Sequence, residues 1–237
     1  MRFLVLRPQP GASATAARIA ALGHEAIVAP LFAIEPVAWD VPDPGEHDAI
    51  ILTSANAVRH AGPALAELAA LPVHAVGTAT AAAAMEAGLS VVATGHSDGA
   101  ELLERAATGG VRKALHLAGA DHRAIARDDI GLRRIIVYRS EPVGELPAEA
   151  REALSEAGAV VLLHSPRAAG QFRTLLVEAG LSPGHVALAG ISAQTLHAAG
   201  EGWAATALAA RPTDDALLAA AARLCETGAG MRGDAGV

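Results

Sequence analysis

Short apolar runs alternate with Ala-rich helical segments from one end of the chain to the other, which predicts the α/β class. Two further observations sharpen that prediction. Most runs are unbroken Val/Ile/Leu rather than alternating with polar residues, as strands of a parallel sheet covered on both faces require. The chain also nearly repeats itself. Leu52-Thr53-Ser54-Ala55-Asn56-Ala57-Val58 returns as Leu163-His164-Ser165-Pro166-Arg167-Ala168-Ala169, and Val76-Gly77-Thr78-Ala79-Thr80-Ala81 returns as Leu188-Ala189-Gly190-Ile191-Ser192-Ala193. In each copy an apolar strand runs into a small hydroxyl residue and then a helix, a junction that offers free backbone N–H groups above a sheet edge. Two related halves with matching turns imply two similar domains sharing one cleft.

In chain order, strands are predicted near 2–6, 25–29, 49–52, 73–76, 90–93, 113–117, 134–137, 160–163, 186–189 and 204–208. Between them, Gly23, Gly88, Gly180 and Gly200 each follow a helical stretch, where a left-handed residue is wanted to end the helix. Helix starts are read at Ser13 before Ala14–Leu22, Asp98 before Ala100–Ala107, and Thr213-Asp214 before Ala216–Leu224. Two stretches break the alternation: Ala33–Pro44 and Arg139–Pro147, each carrying a Glu-Pro dipeptide. Taken as linkers, about 33–37 and 138–142, they leave five strands in 37–138. The remaining five need 1–33 to join 142–226, which makes the first domain discontinuous. Residues 227–237, rich in Gly and Ala, are expected to form a flexible tail.

Bulk properties exclude several classes. At 237 residues the chain can bury one large core or two of about 100 to 120 residues each. Its 52% apolar content rules out disorder, and no apolar run approaches the roughly 18 residues of a membrane span. There is no signal-peptide pattern, and one lone cysteine, Cys225, agrees with a reducing compartment; a cytoplasmic protein is expected. A net charge of −7 argues against nucleic-acid binding. Lys113 is the only lysine among 18 cationic side chains, so the positive groups are almost all guanidinium forks suited to carboxylates.

No dinucleotide fingerprint, P-loop or nucleophile elbow is present, and the ten histidines lack metal spacing. His116 and His122 are the closest pair. His164 adjoins Ser165, but neighbours on a strand point to opposite faces, which argues against a dyad. What remains is a set of polar residues at the C-terminal ends of predicted strands, where open α/β sheets bind ligands: Arg7, Ser54, Asn56, Thr80, Gly119, Arg123, Ser165, Arg167 and Ser192. Each hydroxyl could equally be a helix cap, and each Arg a surface ion pair. Tyr138, the only tyrosine, ends a strand where the second linker begins. It either packs its ring or donates a proton to a leaving group.

At these residues the chain resembles the uroporphyrinogen-III synthase family over about 1–224. The resemblance is carried by Arg7-Pro8, Pro30, Thr53-Ser54-Ala55-Asn56-Ala57-Val58, Val76-Gly77 with Thr80-Ala81, Gly119 with Arg123, and Val137-Tyr138. Ser165-Pro166, Ser192-Ala193 and Pro212-Thr213 ahead of Leu217-Leu218 complete it. Leu6, Ala189 and Arg167 depart from the family pattern. The resemblance implies two flavodoxin-like, parallel-sheet domains of about five strands each, joined by a two-stranded linker. It implies the substrate hydroxymethylbilane, no cofactor, and ring closure with inversion of the terminal pyrrole and loss of water. It further implies Tyr138 as the acid, substrate contacts at the other candidates, a monomer, and transient handover from hydroxymethylbilane synthase. Read without it, the residues also fit a non-catalytic two-lobed cytosolic binder of small molecules, or a nucleotide-sugar transferase.

Overall fold

The computed structural model describes residues 1–95, 99–155 and 159–229. The chain separates into two compact units: unit 1 is Met1–Ala33 with Pro142–Val237, and unit 2 is Ile34–Glu141.

Unit 1 is built on five strands, β1 (Arg2–Val5), β2 (Glu25–Val28), β9 (Ala159–Leu163), β10 (Ala187–Gly190) and β11 (Ala205–Leu208), ordered β11-β10-β9-β1-β2. Every pairing is parallel, with Leu4 level with Ile27 on one side and Val161 on the other. Side chains alternate across a strand, so each strand feeds two cores. Leu4, Leu6, Val161, Leu163 and Leu188 pack against α5 (Ala148–Ser155), α6 (Pro166–Glu178) and α7 (Ala193–Ala199), with Phe172 fully buried among them. Phe3, Val5, Val160, Leu162 and Ala189 face Ile19 of α1 (Gly11–Ala21) and Leu217 of α8 (Asp214–Ala229) on the other side. Both faces are covered, which is why these strands read as continuous apolar runs.

Unit 2 repeats the plan. Its six-stranded sheet has the order β3-β8-β7-β4-β5-β6, from β3 (Phe32–Pro36), β4 (Ala49–Leu52), β5 (Val73–Val76), β6 (Val91–Gly95), β7 (Lys113–Gly119) and β8 (Gly131–Pro142). The β8-β7, β7-β4, β4-β5 and β5-β6 pairings are parallel. Ile50, Leu52, Val73, Leu115 and Leu117 pack against α2 (Ala55–His60) and α3 (Thr78–Glu86), while Ala49, Ile51 and Ala114 pack against Leu102 and Leu103 of α4 (Gly99–Thr108).

The chain leaves unit 1 inside β3 and returns at the end of β8. The two stretches read as linkers are both strand: 32–36 forms β3, and β8 runs through Glu141-Pro142, so this sheet has six strands where five were expected. β3 lies at the edge of its sheet, where a proline costs no ladder bond. Val37 N donates to the Val137 carbonyl there, and Val143 N to that of Leu31.

Helix ends divide the same way. Gly23, Gly88, Gly180 and Gly200 all take positive φ between 72° and 82°, the conformation that ends a helix without Cβ strain. Ser13, read as a cap, instead lies within α1, and both its backbone N–H and its hydroxyl donate to Gln9 Oε1. Thr213 does cap, accepting from Ala216 N at 3.4 Å, but the helix begins at Asp214. Asp98 lies outside the described residues. The tail expected from 227 is corrected at its start, where α8 continues through Ala229; residues 230–237 lie outside the described residues. Among the described residues no helix is long and apolar enough to cross a membrane.

Candidate functional site

In unit 2 the C-terminal ends of four neighbouring strands meet above the sheet edge. Thr53-Ser54 leaves β4, Val76-Gly77 leaves β5, Gly119 ends β7, and Tyr138 lies on β8. Thr53, Ser54, Val76, Gly119 and Tyr138, with His122, Arg123, Gly99 and Ile125, line a cavity of about 260 Å³. Ser54, Gly119, Arg123 and Tyr138, singled out separately in the sequence, are therefore brought together.

Tyr138 and Gly119 depend on one another. A methyl built on Gly119 would lie 2.5–2.8 Å from Tyr138 Cζ, Cε2 and Oη, so only glycine lets the phenol lie across the end of β7. Ala120 N donates to the Tyr138 carbonyl, and the His60 ring stands 6.2 Å from the tyrosine ring. Burial, with the Arg59 charge added, pushes the His60 pKa down, so a neutral imidazole flanks the phenol at neutral pH.

Behind the cavity lies a group that the sequence reading passed over. His116 of β7 is fully buried. Its Nε2 is 3.0 Å from Thr53 Oγ1, and Arg134 Nε donates to its Nδ1 at 3.4 Å. Burial first, then the Arg134 charge and His122, pushes its pKa from 6.5 to about 4, so it stays neutral near pH 7. His122, ring-edge to His116 at 6.1 Å, donates from Nδ1 to the Gly119 carbonyl. A histidine inside an apolar strand was the available signal, but its partners lie 18 and 63 residues away.

Thr80 was expected to open a helix at the sheet edge. The helix opens at Thr78 instead, after Gly77 at φ 76°, and Thr80 points inward with 5% exposure. It is largely buried in the wall of α3. Asn56 stands in the first turn of α2, its N–H bound at 3.2 Å to the capping Ser54 Oγ.

Unit 1 places its candidates at the ends of β1, β9 and β10, which are neighbours in one sheet. Ser165 caps α6 by accepting from Ala168 N, and Ser192 caps α7 by accepting from Thr195 N, both at 3.2 Å. Cap and ligand roles coexist, since a capping hydroxyl spends a lone pair and keeps its proton. The Arg167 guanidinium lies 4.5 Å over the Phe32 ring. Arg7 is held within the unit: its Nη1 meets Asp214 Oδ1 at 3.1 Å, and α1 begins so close to it that a methyl on Gly11 would strike the guanidinium. Asp214 also accepts from Thr15 at 2.6 Å and from Arg18, and pairs with His164 Nε2 at 3.1 Å. Burial would raise the Asp214 carboxyl, but Thr15, His164, Arg7 and Arg18 outweigh it and hold the pKa below the usual value. His164 thus turns to Asp214 while Ser165 turns to α6, both just past the end of β9.

Among the described residues no group of three His, Cys, Asp or Glu side chains gathers as a metal ion would need. The cavity of unit 2 offers hydroxyls, one guanidinium and one imidazole, a set suited to binding acidic oxygens and giving a proton to a leaving oxygen.

The family model described as uroporphyrinogen-III synthase HemD matches residues 13–219. A crystal structure of uroporphyrinogen-III synthetase from Helicobacter pylori is similar at 19% identity and a TM-score of 0.62, covering 94% of this chain and 100% of that one. A mutant uroporphyrinogen III synthase from Thermus thermophilus aligns at 18% identity and a TM-score of 0.44, covering 96% of this chain and 100% of that one. No curated protein sequence matches.

Proposed function

The chain belongs to the uroporphyrinogen-III synthase family and carries that family's reaction, closure of hydroxymethylbilane to the type III macrocycle, and from this premise we propose that Tyr138 in the unit 2 cavity is the acid of the reaction. One observation supports this role above the others: Gly119 leaves room for the phenol alone at the end of β7, where it lines a cavity whose other polar groups can hold acidic oxygens.

The substrate is a linear tetrapyrrole with eight carboxylates and an already activated hydroxymethyl carbon. Pyrrole nitrogen lone-pair density expels the hydroxyl as the C–O bond breaks, leaving an azafulvenium cation. Tyr138 gives its proton to the departing hydroxyl, which leaves as water. The cation then meets the substituted carbon of the terminal ring, forming the spiro intermediate; the older methylene bond to that carbon breaks, giving a second azafulvenium cation, which the free α-carbon of the now inverted ring captures. The proton released when the pyrrole regains aromaticity returns to the phenolate, so the cycle balances. Closure without guidance gives the unrotated isomer; the protein's task is to position the chain and stabilise charge.

Carboxylates are held by Arg123, Ser54 and Asn56 in unit 2, and by Ser165, Ser192 and Arg167 in unit 1, each contact contributing about 1–3 kcal/mol. Arg7 contributes through the Asp214 network, and Thr80 through packing. The lability of the substrate supports transient handover from hydroxymethylbilane synthase. The family resemblance supports a cytoplasmic monomer working without a cofactor.

The test is Tyr138→Phe, which keeps the ring against Gly119 and removes only the hydroxyl. Turnover should fall about 10²-fold with KM nearly unchanged, a larger loss than any other single hydroxyl removal causes. Turnover near that of the parent chain would end the acid assignment.

A further inference from the structure

Thr53 lines the same cavity as Tyr138, yet its hydroxyl oxygen already has a partner on the side away from the cavity. The identity of donor and acceptor along that line is decided by the arginine at its far end. An arginine Nε can only donate, and it is charged at every working pH. Arg134 Nε donates to His116 Nδ1, and a second Arg134 nitrogen, Nη2, donates to the Ile125 carbonyl at 3.1 Å, which holds the fork in place. His116 Nδ1 must therefore be the bare, accepting nitrogen. The proton of a neutral imidazole then sits on Nε2, which donates to Thr53 Oγ1 at 3.0 Å. Thr53 accepts there, and its own hydroxyl proton is left to give. The methyl branch packs by Gly99, where an added Cβ would lie 3.3 Å from Cγ2, so the threonine rotamer is held from both sides. His116 itself is fully buried.

We propose that Thr53 is a substrate-contacting hydrogen-bond donor of the unit 2 cavity, its polarity set from behind by the positioning residues Arg134 and His116, and that its ligand is a carboxylate oxygen of the substrate. A relay of this polarity discriminates. It favours an anionic or carbonyl oxygen at Thr53 and disfavours a donor such as an amide or ammonium group, because one threonine lone pair is already engaged and the free proton points at the ligand. This rests on the reading of the unit 2 cavity as the reaction site, and its test separates the two.

The relay is read directly, without substrate, by long-range ¹H–¹⁵N correlation of the ring nitrogens in the labelled full chain, with the His116 signals identified by their loss in His116→Gln. Protonated Nε2 and bare Nδ1 are expected at pH 7; protonated Nδ1 would overturn the relay whatever the enzyme does. The contact is read by kinetics on hydroxymethylbilane. Thr53→Val should raise KM about tenfold with kcat within about twofold, the pattern of a contact made equally in ground and transition states. Thr53→Ser should restore KM to within about twofold, as should His116→Gln, whose amide can accept from Arg134 and donate to Thr53. An unchanged KM in Thr53→Val, or a fall in kcat alone, would overturn the carboxylate contact. Failure of Tyr138→Phe to lose turnover would leave both of these results standing and count only against the acid.

Discussion

At Gly119 a single hydrogen in place of a methyl decides where the only phenol of the chain can lie. A Gly119→Ala chain would place its new Cβ within 2.5–2.8 Å of the Tyr138 ring and hydroxyl, so the ring must swing away from the end of β7. Turnover should then approach that of Tyr138→Phe, while the melting temperature drops by only a few degrees, because half-buried Tyr138 has room to move; unchanged turnover would mean the ring position is immaterial. Both residues were visible in the sequence as isolated candidates, but their contact was not, since nothing in a linear pattern says that residues nineteen apart touch. Arg7 shows the same limit more sharply. An arginine after the first strand reads as a carboxylate fork, whereas the structure spends part of it on Asp214, 207 residues on. Thr80 was misplaced by two positions because Gly77, not a hydroxyl residue, caps α3.

At the scale of elements, the turns after β4, β9 and β10 each carry a serine that caps the helix that follows. Ser54, Ser165 and Ser192 accept from the first-turn N–H groups of α2, α6 and α7, and the Ser192 hydroxyl also meets that of Thr195 at 2.9 Å. Ser165→Ala and Ser192→Ala should each destabilise the fold by about 1 kcal/mol in urea unfolding and weaken substrate binding several-fold at most. A thousand-fold loss of activity in either would point to a nucleophile and contradict the anchoring role. These elements were the legible part of the fold. Unbroken apolar runs such as Ala49–Leu52 and Ala159–Leu163 announce strands buried on both faces, and glycines mark the helix ends. β3 was hidden because Pro36 and neighbouring acids read as a break, although an edge strand tolerates both.

For the molecule as a whole, buried histidines tie stability to pH. His116 is held at about 4 against 6.5 when exposed, and burial also pushes His74, His164 and His60 down. A histidine depressed in the folded state takes up protons first when unfolded. Its contribution is therefore complete above pH 6.5 and is lost as pH falls toward 4. His116 alone accounts for roughly 2 kcal/mol between pH 7 and pH 5. Asp214, held below its usual value, adds a further loss only beneath pH 4. Urea midpoints should fall steadily from pH 7 to pH 5, and His116→Gln should flatten that slope; a midpoint independent of pH over this range would show the imidazole is not held neutral. Only the place of His116 within an apolar run hinted at this beforehand, because a histidine count carries neither burial nor partners.

The most direct measurement supplies the purified chain with fresh hydroxymethylbilane, oxidises the products and separates the porphyrin isomers. The type III isomer should dominate for the parent chain, and the type I share should rise sharply in Tyr138→Phe as unguided closure overtakes it. Type I alone from the parent chain, the isomer that forms without any enzyme, would contradict the account.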